Sequence, residues 1–206
     1  IRRFGITEGN RQTLSLGMTL DQLVNPMKYG AIEELWLSQA PPGERLDEYV
    51  RKDLNHEVHR GETPISVAAA TSKAIARTAD AVEEAMGFVS RNEAEYARFA
   101  NDVKCLESLN RFYVAKFAIA ESLLKYDSDK DTNRLELAEM ALRASVKEFE
   151  HVAELTQPTY RFANSMQTSH RKIPFPGAVD GVGTNYHWSQ VLPIYEKELR
   201  NFQTYL

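Results

Sequence analysis

Four oxygen-bearing side chains alternate in DSDKDTN, residues 127–133: Asp127, Asp129, Asp131 and Asn133. Hard cations take carboxylate and amide oxygens at alternating positions, so the run resembles the opening of a calcium loop. It then departs from that pattern. Thr132 stands where the sharp turn needs glycine, and Ala138 where a bidentate glutamate would close the shell. A solvated acidic turn, with Asp131 or Thr132 capping the following helix, accounts for the same residues. HEVH (56–59) sets His56 and His59 three apart, not four as in the zinc motif HExxH. Two polar side chains on a last helical turn, where imidazolium suits the negative helix end, are the plainer expectation. Glu148-x-x-His151 is half of a di-iron bundle motif that needs a second copy and two further glutamates, so a surface-facing pair is expected. Gly181 and Gly183 have neither the preceding strand nor the following lysine of a phosphate loop. No catalytic residue and no metal ligand is assigned on this basis; calcium at the aspartate run is the cofactor alternative.

Two polar residues interrupt apolar stripes on the same helical stretch, Asn110 and Lys116. An enclosed lysine must reach the edge of the core or meet a carboxylate, because burying an unpaired charge costs several pKa units of ionisation free energy, about three to five. Asn110 is expected to set helix register. A third group lies in NSMQTSHRKIPFPGAVDGVGTNYHWSQ, residues 164–190, where glycines and prolines accompany Arg171, Lys172, Tyr186, His187 and Trp188. These cations and rings can pair with anions, stack on a sugar or another protein, or plug the end of a bundle. Long structureless loops are uncommon unless they have a function, so these five are the domain- or ligand-contact candidates.

Helical spacing supplies the elements that would hold these groups. Thr63-Pro64 combines an N-cap with proline at the first helical position, opening a stretch with Ile65, Ala68, Ala69, Ile75, Ala79, Val82, Met86 and Val89 on its apolar side. Ser90 and Glu93 read as a capping box, starting the central helix. One stripe there runs Tyr96, Phe99, Val103, Leu106, Asn110, Tyr113, Phe117, Ala120 and Leu124. A second runs Cys105, Leu109, Phe112, Lys116, Ile119 and Leu123, and two stripes mean cover on more than one side. Leu135, Ala138, Leu142, Ser145, Phe149 and Val152 carry the next long helix, to about Pro158. A short helix is expected over 159–168 and a last one over 187–204. A helix is also expected from Glu44, stopped by Gly61, carrying the two histidines. No window alternates as a strand does. The fold class expected is all-α, a bundle of three long antiparallel helices plus shorter N- and C-terminal ones. Residues 1–43, punctuated by glycines and closed by APPG, read as a connector or docking segment with short helices near 19–24 and 28–38. Residues 44–206 read as the bundle, with an ordered loop over 169–186.

The bulk chemistry narrows the function classes. A net charge of −4 over 206 residues gives no basic face for nucleic acid. No apolar run approaches the roughly 18 residues of a membrane span. Cys105 is the single cysteine, so no internal disulfide can form. The chain opens on Ile1 without a targeting signal, which is expected of a fragment of something longer.

Four stretches, SLGMTLDQL (15–23), HRGETPISVA (59–68), LNRFYVAKFAIAESLLKYDSD (109–129) and YHWSQVLPIYEKEL (186–199), together resemble the helical region that follows the catalytic barrel in large bacterial polysaccharide-degrading glycoside hydrolases. In that family the catalytic carboxylates lie on the barrel. The resemblance therefore implies a non-catalytic accessory domain of a secreted or periplasmic enzyme. Its partner would be the preceding catalytic domain of the same polypeptide, and its loop 164–190 would help shape a polysaccharide cleft. The alternatives are a free-standing helical protein-interaction module, and a metal-binding or enzymatic bundle using the histidines or the aspartate run.

Overall fold

The doubly striped stretch becomes the longest helix among the described residues. The structure, a computed structural model, describes Leu20, Val24 and residues 43–163 and 187–204. Five helices lie among them: α1 (Leu46–Leu54), α2 (Pro64–Met86), α3 (Glu93–Asp129), α4 (Asn133–Thr156) and α5 (Trp188–Gln203). At 37 residues, α3 is about 55 Å long. It packs most extensively against α4 and also meets α2 and α1, while α5 lies on α4. Short turns join α2, α3 and α4, so these three run antiparallel. The all-α bundle is as expected, and β structure among the described residues is confined to one isolated bridge, Gly43 to Glu62. The segments near 19–24 and 28–38, the loop 169–186 and the remainder of the 159–168 helix lie largely outside the described residues. Residues 157–163 form turns and bends instead of starting that short helix.

The helix ends explain where each element stops. The Thr63 hydroxyl accepts from Ser66 N–H at 3.1 Å and the Ser66 hydroxyl accepts from Thr63 N–H at 2.9 Å, with Pro64 just inside. The cap is reciprocal, and it places α2 where the sequence predicts. At α3 the expected Ser90–Glu93 capping box does not form. Asn92, in the left-handed region at φ 55°, is the N-cap, and its side chain makes no capping bond. Asparagine tolerates that region better than most residues, which lets the helix start two residues later. Glu93 and Glu95 then sit in the first turn, beside the positive end of the helix. The helix expected to run from Glu44 to Gly61 is shorter. It ends at Leu54, with Asn55 as C-cap and His56 left-handed at φ 55°.

Three apolar clusters line α3. Phe112 meets Phe149 and Tyr195 with ring centroids 5.0 and 4.9 Å away, and Phe149 meets Tyr195 at 4.7 Å. Val152, Ala153, Trp188 and Val191 complete that cluster. Phe117 and Ala120 pack with Leu46 and Val50 of α1, and Val24 lies against them. Ile119 packs with Ala138, Leu142 and Leu20. The second stripe of α3 is therefore core throughout its middle. The first is not: Phe99 and Leu106 are more than half exposed, and so are Met86 and Phe88 beside α2. Only Pro64 and Ala68 of α2 are buried. Periodicity marks the face by which α2 and early α3 meet, but the described residues cover it only in part: Ile75, Ala79 and Val82 are half-buried, while Phe99 and Leu106 stay in water.

Candidate functional site

Lys116 is the most enclosed charge among the described residues, with 0% exposure on the α3 face that meets α5. Of the two outcomes its position allows, pairing is the one that occurs. Its ammonium contacts Glu198 Oε2 of α5 and lies 4.7 Å from the Tyr195 ring centroid. Glu198 Oε1 in turn accepts the Leu20 backbone N–H at 2.5 Å. Burial drives the Lys116 pKa down, and burial, joined by the neighbouring Tyr113 phenol, drives the Tyr195 phenol up. The carboxylate in contact acts against that desolvation and favours the charged ammonium. Asn110 Nδ2 donates to the Ser72 hydroxyl at 3.0 Å, tying α3 to α2.

A second charged node surrounds Glu44, just before α1, whose side chain is 2% exposed. It accepts from Lys52 Nζ at 2.9 Å, His59 Nδ1 at 2.7 Å and Arg60 N–H at 2.7 Å. Burial pushes its carboxyl up, but these three donors outweigh it and hold the pKa at about 2. His59 also stacks on Tyr49 with centroids 4.6 Å apart. The histidines expected on a helical turn are therefore off the helix. His56 is exposed, and His59 fastens the loop after α1 back onto Glu44.

Glu148 and His151 lie toward the surface of α4 as their spacing suggested, His151 exposed and Glu148 partly so, with Glu148 Oε1 3.9 Å from the Arg111 guanidinium. His151 Nδ1 lies 3.0 Å from the Ser108 hydroxyl, and Glu148 keeps one enclosed oxygen without a hydrogen-bond partner. Three ångströms is nucleophile–base range. Ser108, however, is 2% exposed, so no substrate reaches it and the bond pins α3 to α4. Burial raises the Cys105 thiol to about 11, which removes it as a nucleophile at neutral pH.

The aspartate run spends its oxygens on protein partners. Asp127 pairs with Lys130 at 2.9 Å and Asp129 with Arg134 at 2.6 Å, while Asp131 Oδ1 accepts from the Asn133 N–H at 3.1 Å. Asp131, not Thr132, thus supplies the side chain that opens α4. Among the described residues no three His, Cys, Asp or Glu side chains gather as metal ligands. No helix among them is long and apolar enough to cross a membrane.

Of the five contact candidates, Arg171, Lys172 and Tyr186 lie outside the described residues. His187 is the N-cap of α5. Its Nδ1 accepts from Ser189 N–H at 3.2 Å, and its own N–H donates to Gln190 Oε1 at 2.8 Å. Trp188 is buried and meets Tyr160 edge-on at 5.8 Å, closing the end of the bundle. The sequence reading missed Glu44, Ser108 and Glu198. Glu198 carried a visible signal, since it sits between Tyr195 and Leu199 on the apolar side of α5.

Open concave surface lies along the α2–α3 seam. One groove of about 650 Å³ is lined by Val89, Arg91, Asn92, Glu95, Tyr96 and Phe99. Another of about 430 Å³ runs past Arg77, Ala81, Val82 and Ala85 and shares Tyr96 and Phe99. Tyr96 donates its hydroxyl to the Val82 carbonyl, bridging the two helices.

The arrangement, then, has the enclosed charges of Lys116 and Glu44 met by partners and an apolar surface left in water. No protein-family model matches the chain, and no curated protein does. Among solved structures it is similar to a GH138 enzyme targeting pectin rhamnogalacturonan II, with 37% sequence identity and a TM-score of 0.87. The match covers 98% of this chain and 29% of that one, so these helices correspond to a minor part of a much longer glycoside hydrolase.

Proposed function

We propose that this chain is a helical domain of a larger carbohydrate-active enzyme, a glycoside hydrolase, and that it is a non-catalytic accessory packing against the catalytic domain. The observation that carries the reading is the GH138 likeness, complete across this chain yet confined to 29% of the other. Its support within the molecule is chemical. Glycosidases need two accessible carboxyl groups, about 5 to 9.5 Å apart and facing the scissile bond. Here the enclosed carboxylates Glu44 and Glu198 are each consumed by lysine and backbone donors. The parent would act on a pectin-type or other polysaccharide outside the cytoplasm, and loop 164–190 would lie toward the substrate cleft. In this reading the domain needs no cofactor.

The test is hydrolysis by the purified chain on pectin oligosaccharides and aryl glycosides, which should give no turnover. Turnover that disappears in Glu148→Gln or Glu198→Gln would overturn the accessory role. The exposed α2–α3 seam favours a second reading, a free-standing interaction module. The parent reading frame separates the two: a barrel-sized catalytic domain beside this one supports the first, and its absence supports the second.

A further inference from the structure

We propose that the outer face of the α2–α3 hairpin, centred on Met86, Phe88, Tyr96 and Phe99, is the surface by which this domain docks onto another folded domain of its own polypeptide. The proposal rests on the accessory reading above and adds the face that makes the contact.

Four observations converge on it. Phe88 is 87% exposed, Met86 61% and Phe99 52%, on adjoining parts of one hairpin, where isolated exposed apolar residues would be scattered. Both grooves of the seam are lined with apolar carbon and share Tyr96 and Phe99. The hairpin is also built to be firm at that place. The Tyr96 hydroxyl holds the Val82 carbonyl and Asn110 holds Ser72, so the face is presented by two crosslinked helices instead of a loose loop. The rim carries Arg77 and Arg91 together with Glu95, a mixture of signs that suits a protein surface and gives a polyanionic chain nothing to follow.

The occupant follows from size and tethering. In the similar GH138 enzyme this fold is 29% of the chain, so the greater part of a long polypeptide is attached to it. A tethered domain is present at an effective concentration on the order of millimolar, well above that of a separate copy in dilute solution. An apolar face of this modest extent is therefore covered by its own chain before it meets a second molecule.

Met140 gives an internal control. It is 69% exposed on α4, against 61% for Met86. The experiment is peroxide oxidation of the full-length parent polypeptide, followed by peptide mass spectrometry of the two methionines. Docking by the hairpin makes Met86 react about fivefold or more slowly than Met140. Phe88→Glu in the same polypeptide restores Met86 to the Met140 rate, with the helical circular dichroism unchanged. Equal rates in the unsubstituted protein overturn the proposal. So does protection of Met140 instead of Met86, which would move the docking face to α4 and leave the accessory reading standing. Protection of Met86 that vanishes on dilution assigns the face to a second copy and also overturns it. Failure of the accessory reading shows separately, as glycoside hydrolysis by the chain alone.

Discussion

The middle and the start of α3 hold opposite kinds of anomaly. Around its middle, a fully buried lysine sits among aromatic rings and meets a glutamate of α5; toward its start, a phenylalanine and a tyrosine sit beside water. The first is tolerated because every charge has a partner: Lys116 has Glu198, and Glu198 has the Leu20 amide. The second costs the fold little, because α2 is capped at Thr63 and joined to α3 by two cross-helix hydrogen bonds. Polarity inside and apolarity outside thus have different meanings here. The enclosed pair specifies how α5 seats on α3, whereas the exposed rings contribute nothing to that seating and are free to serve a contact.

The comparison breaks most sharply at Glu198. Glu198→Ala strands a buried ammonium and should cost about 3–5 kcal/mol in urea unfolding. Lys116→Met combined with Glu198→Leu should recover most of that loss, since removing both charges spares their desolvation. If Glu198→Ala is silent, the enclosed region is not specified by its charges.

Acid probes the other charged node. Glu44 titrates near 2 in the fold and near 4.5 in the open chain, so the folded pKa is the depressed one. Its contribution is complete above about pH 4.5 and is lost as pH falls toward 2, an upper limit of about 3 kcal/mol. Glu44→Gln should flatten the stability profile across that window, measured by chemical unfolding at stepped pH. An unchanged slope would mean that Lys52, His59 and the Arg60 amide do not bind the carboxylate in solution.

The remaining changes lie in the hairpin. Thr63→Ala removes one half of a reciprocal cap and should cost about 1 kcal/mol. Phe88→Ser should alter stability by less than about 0.5 kcal/mol, the ordinary range for a surface change without special contacts. A loss of several kcal/mol there would show that the ring is covered within this domain and would dissolve the contrast between the two regions.

Much of the architecture is legible in the sequence because it is local. Thr63-Pro64 marks a helix start through its own atoms, and the second stripe of α3 records its burial at successive turns. What is illegible depends on partners distant in the chain. Lys116 stands out as an intrusion, yet nothing near it in sequence points to Glu198, since a helical wheel yields faces and not pairs. The spacing of Phe99 and Leu106 is correct for a core face, but spacing cannot say that the covering elements stop short of them. Asn55 was a readable stop for α1, being a residue type common at helix ends, and overlooking it misplaced both histidines. The five loop candidates divide, with Trp188 in the bundle end, His187 capping α5 and the other three outside the described residues.

The bond from the Leu20 amide to Glu198 joins positions separated by 178 residues. The turns linking α2, α3 and α4 can close as soon as those helices exist, but this long closure waits for almost the whole segment to be synthesised. Until α5 clears the ribosome, Lys116 stays hydrated and the aromatic cluster lacks Tyr195. The last helix therefore completes the packing of the helical hairpins late in the synthesis of this segment.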